Sequence, residues 1–96
     1  MRFQRTGHFK RAYRKLDLGQ QNAIKRAISL MSDNINHPSL RVKRVQSTKE
    51  TWEASAAMDL HITFEWEGGT ITLKNCGEHN KTLKNLNRKK GQIFSS

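Results

Sequence analysis

His61 and His79, set among Arg41, Lys43, Arg44, Lys74 and Glu53, are the side chains of this chain whose types fit a chemical reaction. RNA is cleaved without a metal when a base removes the 2′-hydroxyl proton, a cation holds the phosphorane charge and an acid protonates the departing 5′-oxygen. Histidine suits either proton role because its ordinary pKa is near 6.5, and arginine and lysine suit the charge role. Taken singly these residues have simpler readings. A histidine on a strand is ordinarily a surface residue, and Arg41, Lys43 and Arg44 would serve equally as a solvated edge.

Other chemistries fit less well. His8, His37, His61 and His79 show no close pairing, and the single Cys76 has no cysteine partner, so neither zinc nor another cofactor is expected. Gly68-Gly69 reads as a hairpin turn rather than a phosphate loop. Cys76 reads as a small strand residue.

The elements that must position these groups are legible in outline. Residues 2–5 suit a short edge strand. Phe9, Ala12, Tyr13 and Leu16 fall on one stripe of a first helix. Asp17 suits the N-cap of a second helix over 18–34, with Ile24, Ala27, Ile28 and Met31 as its apolar face. Pro38 bars helical continuation. Strands are expected over 40–46, 51–56, 60–67 and 70–76, giving an α+β domain with a helical hairpin laid on a small antiparallel sheet. Parity turns Leu40, Val42, Trp52, Ala54, Leu60, Ile62, Phe64, Trp66, Ile71 and Leu73 toward the helices. Arg41, Lys43, Glu53, Ser55, His61, Thr63, Thr72, Lys74 and Cys76 then fall on the open face.

Composition bounds the function class. At 96 residues there is room for one modest core, so 1–96 is expected to be a single domain with 85–96 a basic, flexible tail. No apolar run approaches a membrane span, no hydrophobic signal region opens the chain, and one cysteine suits a reducing compartment; a cytoplasmic protein is expected. The net charge of +10 is unevenly distributed. Residues 1–49 hold twelve basic and two acidic side chains, residues 50–78 one and six, and residues 79–96 five and none. A polyanion is the natural partner, nucleic acid before acidic protein.

From Phe9 to Lys84 the chain resembles the RelE/ParE toxins of type II toxin–antitoxin modules, on their RelE and YafQ side. The resemblance is carried by Phe9-x-x-Ala12-Tyr13-x-x-Leu16, His37-Pro38-Ser39-Leu40-Arg41-Val42-Lys43, Trp52-Glu53-Ala54-Ser55, Ile62-Thr63-Phe64 and Gly77-Glu78-His79. It implies an α-hairpin on a curved antiparallel sheet and a ribosome-dependent mRNA interferase acting at the A site without metal. A cognate antitoxin would silence it, so the toxin is expected as a monomer when free and a hetero-oligomer when bound. The catalytic candidates are His79, Lys43 and Arg41, which match family positions, and His61, which rests on its own chemistry. Arg44, Lys74, Ser55, Lys81 and Lys84 are the RNA-binding ones.

The departures matter as much. His61 stands where close relatives place an arginine, so it is either a working acid/base or an attenuating substitution. Asn75 replaces an arginine of several members, Asn80 an aspartate, and Ser55 a histidine. Two other classes stay open: a ParE-like inhibitor that binds gyrase without catalysis, and a catalytically silent homologue that binds antitoxin or nucleic acid.

Overall fold

Two side chains fix where the helices begin. Thr6 ends strand β1 (Arg2–Arg5), and its hydroxyl accepts from the Phe9 amide at 3.1 Å to open α1 (Gly7–Arg14). The Asp17 carboxylate accepts from the Gln20 backbone amide at 2.8 Å while the Gln20 side-chain Oε1 accepts from the Asp17 backbone amide, a reciprocal box that opens α2 (Leu18–Asp33). The structure is a computed structural model and describes residues 1–45 and 50–78. The basic segment 85–96 therefore lies outside the described residues.

The strand expected over 40–46 is much shorter. Pro38–Leu40 forms one 3-10 turn, opened by the His37 ring accepting from the Ser39 amide, and Arg41 closes it in the left-handed conformation (φ 47°, ψ 47°). Extended backbone cannot pass through that residue, so β2 is only Lys43–Arg44. Strands β3 (Thr51–Ala57), β4 (Leu60–Glu67) and β5 (Thr70–Glu78) follow as a meander. Gly68-Gly69 joins β4 to β5 as expected, with Gly68 at φ 59°.

The sheet order is β1-β5-β4-β3-β2. Strands β2 to β5 pair antiparallel, while β1 runs parallel to the first half of β5, making the sheet mixed. Helix α1 leads directly from β1 across the edge of β5. The Thr6 amide donates to the Leu73 carbonyl at 3.0 Å and its hydroxyl to the Lys74 carbonyl at 3.2 Å.

The core lies between the helices and one sheet face. Ile24 and Met31 of α2 meet Ile62, Phe64, Ile71 and Leu73, all fully buried. Each such side chain stabilises the fold by about 1.5–3 kcal/mol relative to an exposed position. Trp52 and Trp66 pack edge to face against this core, their ring centroids 5.3 Å apart.

A bulge corrects one expected orientation. Thr63 pairs with Asn75 but Phe64 pairs with Leu73, so β5 carries Lys74 as an extra residue. Beyond it the alternation shifts by one, and Cys76 stands opposite Ile62 in the core instead of on the open face. Burial pushes its thiol up to about 12 from 9.0. Glu53 and Thr63 have the expected parity but are buried, at 2% and 4% exposure.

Candidate functional site

The β3–β4 hairpin and the chain entering β2 build one cleft on the open side. Arg41, Lys43, Glu53, Ser55, Asp59 and His61 are among its lining residues, around a volume of about 470 Å³. Three local events bring them together. The left-handed Arg41 swings the chain from the 3-10 turn into β2, next to the β3 edge. Cross-strand pairing sets Lys43 opposite Glu53, and Ser55 opposite His61. A second bulge, between the Ser55 and Ala57 pairings, bends β3 at the cleft, and the Ser55 hydroxyl donates to the Ala57 carbonyl at 3.3 Å.

The charges are arranged by depth. The Glu53 carboxylate is buried, and the Lys43 ammonium reaches to within 3.8 Å of it while staying 67% exposed. The lysine is thus anchored at one end of its reach yet open to solvent. Arg41 is exposed and His61 half-buried. Gly77 stands opposite His61 on β5, with φ at +148°, where an L side chain is strained. An anionic group entering this cleft would meet the carboxylates of buried Glu53 and exposed Asp59 as well as two cations, an imidazole and a hydroxyl. The cations, imidazole and hydroxyl are the donor set for holding a phosphodiester and moving a proton beside it.

The remaining candidates are dispersed. Lys74, on the open side, pairs with Glu65 at 3.2 Å. Glu65 lies four residues along β4 from His61, about 13 Å at the strand rise. Arg44 has the opposite parity to Lys43 and lies over the Trp52 ring, 5.9 Å from its centroid. His79, Lys81 and Lys84 lie outside the described residues. Among the described residues no group of three His, Cys, Asp or Glu side chains is placed to hold a metal ion. No helix among them is long and apolar enough to cross a membrane.

Sequence reasoning assigned no role to Asp59 or Met58. They form the two-residue turn of the β3–β4 hairpin, with Asp59 at φ 60° and Met58 92% exposed. A Met-Asp pair is not a strong turn signal; only the break between two alternating runs marks it. A second cleft, lined by Arg26, Leu30, Arg41, Ser55 and Met58 among others, abuts the first.

No family model matches the sequence, and no curated protein matches it. Solved structures do match the fold. The RelB–RelE antitoxin–toxin complex of Methanococcus jannaschii superposes with a TM-score of 0.70 at 13% identity, over 85% of this chain and 96% of that one. A YoeB/ParE toxin from Agrobacterium tumefaciens gives 0.69 at 12% identity, over 82% and 99%. The E. coli DinJ–YafQ complex gives 0.67 at 18% identity, over 84% and 97%. The chain has the fold of the RelE/YafQ/ParE toxins, two helices on a five-stranded sheet.

Proposed function

We propose that this protein is the toxin of a type II toxin–antitoxin module, a metal-independent endoribonuclease that cuts mRNA on the ribosome and so inhibits translation in the cytoplasm. The observation that carries the reading is the convergence of Arg41, Lys43, Ser55 and His61 on one cleft of a RelE-like fold. In this reading Arg41 and Lys43 hold the scissile phosphate and the charge that grows on it. One imidazole takes the 2′-hydroxyl proton as the oxygen attacks phosphorus. A second group returns a proton to the 5′-oxygen, leaving a cyclic phosphate and a free hydroxyl. His61 and His79 are the two proton carriers proposed, His61 from within the cleft. Ser55 positions the phosphate and Lys74 is an outer contact on the same side, while Arg44, Lys81 and Lys84 are RNA-binding candidates from the sequence alone.

The alternative to a proton-carrying His61 is an attenuating substitution. An arginine there would carry a permanent charge and a two-pronged donor; imidazole offers neither at neutral pH. The antitoxin is expected to be an acidic protein, because the surface is strongly basic and the RelB–RelE neighbour is an antitoxin–toxin complex.

The test is primer extension on a reporter mRNA in a purified translation system, with and without ribosomes. Cuts within the A-site codon, only when ribosomes are present and lost in His79→Ala, are the expected result. Robust cutting by His61→Arg but not by the natural chain would identify an attenuated toxin. Silence from all variants overturns the nuclease reading and leaves gyrase inhibition or binding alone, which a gyrase supercoiling assay separates.

A further inference from the structure

We infer that the cleft beside the candidate site is a second RNA subsite, taking the nucleotide adjacent to the scissile phosphate; this rests on the RNA-cleaving reading above. The cleft measures about 520 Å³, within the range of small-ligand sites. Its charged lining residues are Arg26 of α2 and Arg41, and no acidic side chain lines it, though Glu53 and Asp59 line the adjoining cleft with Arg41. Leu30, Ala57 and Met58 supply an apolar wall. Two cations and an apolar wall in one cleft match a phosphate joined to a base.

Continuity favours a polynucleotide over an isolated ligand. Arg41, Ser55, Ala57 and Met58 line both clefts, so a strand crossing the first reaches the second without leaving the surface. Arg41 is the residue at the junction. Its left-handed backbone, uncommon for a non-glycine residue, roots the side chain where it borders both. Met58 is the other unusual feature, an apolar side chain left 92% exposed at a hairpin tip. A methionine in that position gives a base an adaptable apolar contact, with sulfur able to approach the ring. The Arg26 guanidinium, on an exposed helix position, supplies a phosphate contact that depends on salt.

The test is fluorescence anisotropy with a non-cleavable RNA octanucleotide, and the same strand with its bases removed, titrated over salt. Arg26→Gln should weaken octanucleotide binding about fivefold and lower the salt slope by roughly 0.7, the share of one phosphate on a single strand. Lys10→Gln on α1 removes the same charge elsewhere and should change both far less. Met58→Ser should weaken only the strand that retains its bases, leaving the salt slope unchanged. If Arg41→Gln loses affinity while Arg26→Gln and Met58→Ser bind as the natural chain does, the second subsite is overturned and the cleavage site stands. If Arg41→Gln also binds normally, neither cleft is an RNA surface and both readings fall. Loss of a glutamate-rich amphipathic peptide, but not of RNA, in Arg26→Gln would assign the cleft to a protein partner and overturn the inference.

Discussion

Along β4, Ile62 and Phe64 turn toward the helices and are fully buried, while His61, Thr63 and Glu65 turn the other way. The two faces are interleaved residue by residue, yet they respond to different forces. The helix side is saturated with apolar contacts, so its residues determine where the strands lie. The open side contains buried Glu53 beneath an exposed Lys43, and half-buried Ser55 and His61. Its polar groups are held by strands whose geometry is set from behind. A site built this way tolerates changes in chemistry that its support would not tolerate in shape.

Phe64→Ala gives the largest contrast. It empties the centre of the helix side and is expected to cost about 3–5 kcal/mol, a large part of the stability of a domain this size. Chemical denaturation should show a transition shifted far toward zero denaturant, with RNA binding lost alongside. His61→Arg, one strand neighbour from Ile62, should leave the denaturation midpoint nearly unchanged. Its effect should fall on the rate instead, a loss if His61 carries a proton and a gain of roughly 10²–10³ if an arginine restores a missing electrostatic contact. If His61→Arg destabilised the fold as Phe64→Ala does, the separation of the two faces would be wrong.

Cys76 sharpens the comparison because its side was misread from the sequence. Its thiol is raised from 9.0 to about 12 by burial, so the folded state resists forming the thiolate. The stability it protects is intact below about pH 9 and falls as pH rises toward 12, by up to about 1.4 kcal/mol per pH unit. Urea unfolding at pH 8, 10 and 11 should show this fall, and Cys76→Ala should have a shallower one. Equal slopes would return Cys76 to the open face.

That misreading shows what was legible. Asp17 and Gln20 announce the start of α2, and Gly68-Gly69 announces its hairpin, because caps and turns are written in adjacent residues. Alternation gives the faces of β3 and β4 for the same reason. The bulge at Lys74 is not local in this sense. It is set where β1 stops pairing with β5 and Thr6 takes the Leu73 and Lys74 carbonyls, groups more than sixty residues away in the chain. The parallel pairing of β1 is equally non-local. In the site, Arg41, Lys43, Ser55 and His61 were readable from residue type and parity. The left-handed turn at Arg41 was not, since Leu40 to Arg44 alternates like a strand. Arg26 and Met58 were hidden because their meaning depends on a neighbouring element.

Lys74 carries the smallest predicted effect and the finest distinction. It shares the open side with Lys43, and each lysine has an acidic neighbour, but the two pairs differ. Glu53 is almost wholly buried while Lys43 is 67% exposed; Lys74 and Glu65 are about equally exposed, at 41% and 40%, and 3.2 Å apart. A half-exposed pair of this kind stabilises by less than about 1 kcal/mol, and its anion offsets much of the lysine's attraction for phosphate. Lys74→Gln should therefore lower RNA affinity by no more than about twofold, as an outer contact would. Glu65→Gln should raise it slightly by freeing the lysine. The double variant should match Lys74→Gln alone if the pairing is what restrains it. A loss in Lys74→Gln as large as in Lys43→Gln, measured by the same anisotropy titration, would move the centre of the proposed RNA surface along β4 and away from His61.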